Sequence, residues 1–322
     1  MLGIIGDSAG ALSLTTISRP IPTASQLLVR VKATALNRAD LLQRRGKYPP
    51  PPGESEILGL EIAGEVAAVG CDVTRFSIGD RVFGLVGGGG YAEYCLIDHE
   101  VAMPIPDTLS YVEAAAVPEA FLTANEAIFT LGDLQPHETI LIHAGASGVG
   151  TAGIQLAHHI GATVLTTVGT AEKEAYVLAL RADAAINYKQ MDFVTALKSL
   201  THNQGVNLIL DLIGANYLMR NLQSLCPNGR LICVGLLGGA KTEIDLGYLL
   251  KQRLQMKGLI MRSRTLDDKR AMTQRFCHQW LSLLAERKIY PIIDSIYPLA
   301  DAQKAHEKME ANGNIGKIVL EI

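Results

Sequence analysis

The sequence predicts an α/β fold that combines a doubly wound parallel sheet with a second, barrel-like domain of short strands. Three observations predict it. Short β-like runs separated by glycine and proline occupy residues 1 to about 120, strands alternate with helices over 121–275, and mixed elements return over 276–322. At ~150 residues per domain, the chain of 322 residues has room for two domains.

The first segment is predicted to form a small barrel-like sheet. Its apolar, β-branched runs are short, and each ends at glycine or proline residues that favour turns. The chain is also expected to begin with a strand at 1–7 instead of a signal peptide. Further strands are expected at 27–33, 62–69 and 80–85, with turns at 49–53, 70, 79 and 87–90.

The middle segment is predicted to form a parallel sheet with helices on both faces, because continuous apolar runs alternate with helical patterns. Strands are expected at 139–143, 163–168, 185–188, 206–212 and 230–234, and helices at 151–160, 171–181, 192–200 and 217–225. The last segment is expected to rejoin the first domain, with helices at 279–287 and 300–310 and strands at 292–297 and 316–321.

Composition and charge exclude several classes of function. Hydrophobic residues make up 48% and charged residues 19% of the chain, which suits two apolar cores and argues against disorder. A formal net charge of −3 gives no electrostatic case for binding nucleic acid or an anionic membrane. No apolar run approaches the ~18 residues of a membrane span. The five cysteines form no Cys-x-x-Cys pair, so we expect a cytoplasmic protein.

A glycine-rich turn between the first strand and helix of the middle segment predicts a dinucleotide site. Glycines let the backbone approach a pyrophosphate closely, and a helix N-terminus offers free N–H groups and a partial positive charge. The spacing departs from the strict Gly-x-Gly-x-x-Gly, so a turn without a ligand is the alternative interpretation. The turn consists of Gly145, Ala146, Ser147, Gly148, Val149 and Gly150.

The end of the following strand favours NADPH over NADH. Binders of NAD place an acidic residue about 20 positions after the glycine turn, where this chain has Gly169 and Thr170. Thr170 and Lys173 are suited to a 2′-phosphate, one as a hydroxyl donor and one as a positive charge. Glu172 would oppose the phosphate only if it faced inward, and in the first turn of a helix we expect it to face solvent.

Several short motifs occur together in a fixed order: ALNRAD at 35–40, GLE at 59–61, GDRV at 79–82, AAAVP at 114–118, the turn at 143–150 and NIGK at 314–317. In order and spacing they resemble the zinc-free quinone oxidoreductases of the medium-chain dehydrogenase/reductase superfamily. YPPPPG at 48–53 and MEAN at 309–312 make the tumour-suppressor-inducible and zeta-crystallin-like type the nearest.

The resemblance covers essentially the whole chain and implies its organisation. A GroES-like β-barrel catalytic domain, 1–120 and 276–322, would enclose a Rossmann dinucleotide-binding domain, 121–275, with the active site in the cleft between them. Members of the family are homodimers or homotetramers, so the same is expected here.

The resemblance also implies that no metal is bound. Where zinc alcohol dehydrogenases of the superfamily carry Cys, His and Cys ligands, this chain has Asn37, Leu60 and Glu119. Asn37 and Leu60 do not support a stable zinc site. Without a Lewis acid, an alcohol or aldehyde oxygen is hard to polarise, whereas a quinone accepts hydride readily.

Individual roles follow from the resemblance, residue by residue. Tyr48, Asn37 and Thr123 are the predicted catalytic residues, lining the substrate and nicotinamide region. Alternatively, Tyr48 packs on its neighbouring prolines, Asn37 forms a turn and Tyr188 is a surface residue. Besides the turn at 145–150, the predicted contacts to NADPH are Gly169, Thr170, Lys173, Tyr188, Gly214, Gly235, Leu236, Leu237, Asn314 and Lys317.

The predicted function is therefore hydride transfer from NADPH to a small-molecule quinone, without zinc or flavin. The first alternative is an NADPH-dependent reductase of activated C=C bonds in enones or enoyl thioesters. The second is a non-catalytic, crystallin-like or RNA-binding protein that binds NADPH. The charge balance of −3 argues against RNA.

Overall fold

The computed structural model of the protein describes residues 1–6 and 10–322. The chain forms two compact units, the first made of Met1–Leu122 and Met261–Ile322 and the second of Thr123–Ile260. The predicted boundary at 275/276 lies inside one continuous helix, Leu266–Ala285. That helix belongs to the first unit, where its Phe276 ring packs edge-on against Phe121 with centroids 6.5 Å apart.

Among the residues described up to Asn125, the chain forms seven strands and three helices. The N-terminal strand ends at Gly6, and Asp7, the last residue of the predicted strand, lies outside the described residues. The strands are β1 Leu2–Gly6, β2 Leu12–Thr16, β3 Gln26–Ala35, β4 Glu61–Val69, β5 Arg81–Leu85, β6 Tyr94–Asp98 and β7 Met103–Pro104, and the helices are α1 Arg38–Arg44, α2 Tyr111–Ala115 and α3 Pro118–Asn125.

The second unit alternates strands and helices. After a π-helical turn at Glu126–Leu131 the strands are β8 Thr139–Ile142, β9 Thr163–Val168, β10 Ala184–Asn187, β11 Val206–Asp211, β12 Leu225–Cys233 and β13 Gln255–Gly258. The helices are α4 Gly148–His159, α5 Ala171–Ala179, α6 Phe193–Leu200, α7 Leu218–Ser224 and α8 Leu246–Gln252, with a 3₁₀ turn at Ala215–Tyr217.

The chain then returns to the first unit with two helices and two strands. They are α9 Leu266–Ala285, β14 Ile293–Pro298, α10 Ala302–Glu310 and β15 Lys317–Glu321, with a 3₁₀ turn at Leu299–Asp301. The sheet of this unit has the order β14-β15-β3-β4-β5-β7, with β6 also paired to β3, while β1 and β2 form a separate antiparallel pair. β15 is antiparallel to β3, which brings the C-terminal segment beside the end of β3.

The sheet of the second unit has the order β10-β9-β8-β11-β12-β13, and all its pairings are parallel. The predicted α/β class with a doubly wound parallel sheet is confirmed. One buried cluster beneath the sheet includes Leu141, Phe193, Ile209 and Leu231. Because the strands run in one direction, the loops after their carboxyl ends lie along one edge, where ligands of such sheets bind.

Across residues 1–6 and 10–322, no helix is both long and apolar enough to cross a membrane.

Candidate functional site

The glycine turn of the second unit packs too closely for side chains at two positions. A Cβ on Gly145 would lie 1.8 Å from Oγ1 of Thr166, and a Cβ on Gly150 would lie 2.4 Å from the carbonyl oxygen of Ala144. Ser147 is the N-cap of α4, and its Oγ accepts the N–H of Gly150 at 3.0 Å. The turn thus holds the N-terminus of α4 directly at the carboxyl end of β8, in the arrangement that receives a pyrophosphate.

A second group of predicted cofactor residues gathers at the ends of β9 and β10. Asn187 pairs with Val168, so the next residues of the two strands, Tyr188 and Gly169, lie side by side. A Cβ on Gly169 would lie 2.7 Å from the Tyr188 hydroxyl. Thr170 caps α5 by accepting the N–H of Lys173 at 3.2 Å. Glu172 is exposed, as expected.

The loops after β11 and β12 complete the same edge. Asp211, the last residue of β11, accepts the N–H groups of Ile213 at 2.7 Å and Gly214 at 3.1 Å. Burial is the largest influence on its carboxyl and raises its pKa. A Cβ on Gly235 would lie 2.7 Å from the Leu212 carbonyl oxygen. Leu236 and Leu237 are more than half exposed, at 56% and 55%.

His143, which directly follows β8, links this edge of the sheet to α7. It is fully buried, with Nδ1 2.9 Å from Oγ1 of Thr167 and Nε2 2.7 Å from Oδ1 of Asn221. Burial lowers its pKa to about 4. A neutral imidazole that donates from Nε2 and accepts at Nδ1 satisfies both contacts. His143 therefore joins the ends of β8 and β9 to α7 as a neutral group.

Thr123 supplies an orphaned polar atom. The residue is 3% exposed, and its Oγ1 has no hydrogen-bond partner among the described residues. A buried hydroxyl without a partner is costly and marks a place where a ligand or water completes the bond. With the glycine turn and the Tyr188 group, the second unit fits a nicotinamide dinucleotide.

The first unit holds a buried polar cluster around Asn37. Its Nδ2 donates to Oε1 of Glu61 at 2.8 Å, and its Oδ1 accepts from Nζ of Lys317 at 2.6 Å. Lys317 also donates to the Leu36 carbonyl at 2.7 Å and lies 2.8 Å from Glu61 Oε1. Glu61 and Lys317 are buried, with side chains 0% and 5% exposed. The Asn37 carboxamide is thus held at both ends by an ion pair.

Two of the predicted cofactor residues prove to have structural partners in the first unit. The Lys317 ammonium has acceptors for its three N–H groups in Leu36, Asn37 and Glu61, and its contact with the cofactor stays a prediction. Asn314 donates from Nδ2 to the Gly316 carbonyl at 2.8 Å and shapes its own loop.

A buried chain of polar groups runs behind Asn37. Asp40 Oδ2 accepts the Asn37 N–H at 2.7 Å and the Tyr91 hydroxyl at 3.3 Å. The Tyr91 oxygen lies 3.1 Å from Nε2 of His306. Burial raises the pKa of Asp40 to about 6 and, with the nearby Arg44 charge, lowers the pKa of His306 to about 3. These groups pin the N-terminus of α1, and hence Asn37, to the core.

Glu119 lies beside the same cluster. Its backbone N–H donates to Oε2 of Glu61 at 2.8 Å. Burial, and then the nearby Glu61 charge, raise the pKa of the Glu119 carboxyl to about 8. At neutral pH the group is mostly protonated and is able to donate a hydrogen bond.

Tyr48 is half-buried, and its backbone carbonyl accepts from Nη1 of Arg262 at 3.0 Å. The guanidinium carbon lies 5.4 Å from the Tyr48 ring centroid. Burial, followed by the Glu119 charge, raises the pKa of the Tyr48 hydroxyl. The tyrosine is therefore protonated at neutral pH and able to donate.

Two of the three residues at the positions of the zinc ligands have other contacts in this structure. Asn37 uses both polar atoms of its carboxamide within the protein, and Leu60 is a buried apolar side chain. Among the described residues there is no group of three or more His, Cys, Asp or Glu side chains placed to hold a metal ion.

Comparison with known proteins matches both units. Residues 23–107 match the alcohol dehydrogenase GroES-like domain and 148–276 the zinc-binding dehydrogenase family. The rat quinone oxidoreductase is 31% identical over 303 residues, covering 94% of this chain and 90% of that protein. The chain belongs to the quinone oxidoreductase-type proteins of the medium-chain dehydrogenase/reductase superfamily.

Solved structures agree with this assignment. The Escherichia coli quinone oxidoreductase complexed with NADPH has a TM-score of 0.91 and 30% identity, covering all of both chains. An NAD-dependent alcohol dehydrogenase has a TM-score of 0.88 and 28% identity, also with full coverage of both chains. The protein is an oxidoreductase of this superfamily with a GroES-like domain and a nicotinamide-binding Rossmann domain.

Three groups that the structure brings to the predicted site residues have no role predicted from the sequence. Glu61 and the chain from Asp40 to His306 support Asn37, and Arg262 holds Tyr48. The sequence carries a partial signal for Arg262, because it directly follows the apolar run at 259–261. A charged residue next to a buried run is rarely buried itself unless it has a partner or a function.

Proposed function

We propose that the protein reduces quinones with NADPH, and that it does so without zinc or flavin. The observation that carries the proposal is the Asn37 carboxamide held between Glu61 and Lys317. A group bonded at both polar atoms is a poor metal ligand. The position therefore favours an acceptor that needs no Lewis acid, and a quinone is such an acceptor.

Three residues support NADPH over NADH. Tyr188 lies against Gly169, and Thr170 and Lys173 stand in the first turn of α5. Together they offer two hydroxyls and one ammonium to a 2′-phosphate. Of the two acidic side chains in that turn, Glu172 is exposed and Glu174 is half-buried. The NADPH complex of the E. coli relative supports the same choice.

In this proposal NADPH, when bound, supplies the hydride that reduces the substrate. The chain's own residues hold and orient the reactants, and such orientation contributes ~7–11 kcal/mol to lowering a barrier. The Tyr48 hydroxyl donates a hydrogen bond to a quinone oxygen, because its raised pKa keeps it protonated. Asn37 keeps a fixed carboxamide orientation in the same unit. We further propose that the protein works as a homodimer or homotetramer in the cytoplasm.

The test compares acceptors with NADPH as the donor. Protein dialysed against EDTA is assayed with 1,2-naphthoquinone, an enone and crotonyl-CoA, with no flavin added. We expect kcat/KM for the quinone to exceed the other two and EDTA to have no effect. A preference for the enone or the thioester would assign a C=C reductase instead. Activity that EDTA removes and zinc restores would contradict the zinc-free mechanism.

A further inference from the structure

Arg262 is a buried charge whose hydrogen bonds are incomplete. It is 4% exposed, and it lies between β13 and α9 in the first unit. Its Nε donates to the Gly87 carbonyl at 2.8 Å and its Nη1 to the Tyr48 carbonyl at 3.0 Å. Its Nη2 is buried and has no hydrogen-bond partner among the described residues.

The two existing bonds fix the guanidinium in place. Both acceptors are backbone carbonyls, so the group is anchored to the chain itself and not to a mobile side chain. The plane is rigid, and the two anchored nitrogens therefore set the direction of the third. The guanidinium that carries the unpaired Nη2 has its Cζ atom 5.4 Å from the Tyr48 ring centroid.

The groups around Arg262 are acidic side chains, two of which, Tyr48 and Glu119, are mostly neutral at pH 7. Tyr48, Asp40, Glu54 and Glu119 all favour its protonated form, against the effect of burial, which lowers its pKa. Glu54 also bonds the Lys269 ammonium at 3.3 Å. A guanidinium remains charged in such surroundings. Because one nitrogen, Nη2, has no partner among the described residues, the group can serve a single substrate oxygen, whereas a phosphate needs several donors.

We propose that Nη2 of Arg262 donates to the substrate oxygen that becomes anionic during reduction; this assignment rests on the proposed quinone reduction. The quinone takes up the hydride, with its two electrons, and becomes a hydroquinone monoanion. NADPH becomes NADP⁺, and a proton from solvent then neutralises the anion. Arg262 stabilises that anion in the interval, and the Tyr48 hydroxyl donates to the substrate beside it.

The kinetic test uses Arg262→Met and Arg262→Lys, with Arg270→Lys as the matched control. Arg270 belongs to the same unit, and it pairs with Asp98 at 2.8 Å, Glu100 at 3.0 Å and Asp267 at 3.5 Å. We expect Arg262→Met to lower kcat with 1,2-naphthoquinone roughly 100-fold, as for the loss of one oxyanion donor. Added guanidinium should restore part of the rate, and the Arg270 control should stay near wild type. Loss of rate in proportion to a fall in Tm, without rescue, would leave Arg262 a packing residue.

A binding test separates this proposal from the proposed function, because it needs no turnover. The probe is 4-nitrophenol, whose phenolate absorbs visibly and resembles the hydroquinone monoanion. Titrated with protein, it should ionise at a lower pH when bound to wild type than when bound to Arg262→Met. Equal ionisation in both proteins, or no binding to wild type, would overturn the role of Arg262. If wild type binds and ionises the probe but reduces no quinone, the proposed function fails while the anion site stands.

Discussion

The Nζ atom of Lys317 lies 2.6 Å from the Oδ1 atom of Asn37, although the two residues stand 280 positions apart in the chain. The contact exists because β15 pairs antiparallel with β3, whose end leads directly into Asn37. The last strand of the protein therefore delivers the cation that fixes the orientation of a carboxamide near its beginning. The same cation is paired with Glu61 in a site closed to water.

Replacing Lys317 by methionine should destabilise the protein by about 3–5 kcal/mol, since it leaves the buried Glu61 carboxylate without its counter-charge. Urea unfolding measures the change. Lys304→Met is the control, because the Lys304–Asp301 pair is largely exposed and its attraction is screened by solvent. Adding Glu61→Gln to Lys317→Met should recover part of the loss. Equal stability of the two lysine variants would contradict the account.

Stability should fall as the pH drops from about 6.5 towards 4 because of His143. In the unfolded chain the imidazole takes up a proton near its ordinary pKa of 6.5, whereas in the folded protein it does so only near 4. The folded state binds fewer protons in that window, at a cost of roughly 2 kcal/mol at pH 5.

Unfolding free energies at pH 7 and pH 5 check this expectation. Because His306 contributes in the same direction, His143→Gln should reduce the pH-dependent loss without abolishing it. His202→Gln, at an exposed position, should keep the wild-type profile. A His143→Gln protein with the full wild-type acid sensitivity would show that His143 is not the titrating group.

Glu119 should lower the stability of the protein as the pH rises, whereas His143 lowers it as the pH falls. Its carboxyl is protonated up to about pH 8 in the folded protein but ionises near 4.5 when unfolded. Its contribution to stability is therefore complete below pH 4.5 and is lost as the pH rises to 8. Glu119→Gln keeps a neutral group, so its Tm at pH 8 should exceed that of wild type, while Glu286→Gln at the surface should not change it. A lower Tm for Glu119→Gln at pH 8 would mean that the carboxylate is needed.

Lys173→Ala should weaken NADPH binding about tenfold, the equivalent of about 1.4 kcal/mol for one charge-assisted hydrogen bond. Binding of NADH, which has no 2′-phosphate, should not change. Calorimetric titration of both cofactors measures this, with Lys198→Ala on α6 of the same unit as the control. A similar loss for both cofactors would place Lys173 elsewhere than at the 2′-phosphate.

The sequence predicted the parallel sheet well, because buried strands are continuous apolar runs. The strand at 163–168 has the predicted bounds, and β8 and β11 differ by one residue at one end. β13 was missed since its four residues are all exposed and carry no apolar pattern. Helix α9 begins earlier than predicted because its first turns are rich in charged residues, which hid the apolar spacing.

The candidate site was only partly accessible from sequence. Local motifs pointed to the glycine turn, Gly169 and Tyr188, because strand pairing alone brings them to one edge. The roles of Lys317 and Arg262 depend on contacts between distant parts of the chain. A motif match placed Lys317 near the cofactor, and burial and three acceptors make it also the support of Asn37.

The most direct test of the central claim is the steady-state oxidation of NADPH and NADH, side by side, with 1,2-naphthoquinone as acceptor and neither metal nor flavin added. The wild-type protein is expected to turn over with NADPH. Its kcat/KM for NADPH should be at least about tenfold above that for NADH, because NADH lacks one charge-assisted contact. Turnover with NADH alone, or none with either cofactor although NADPH binds, would contradict this claim.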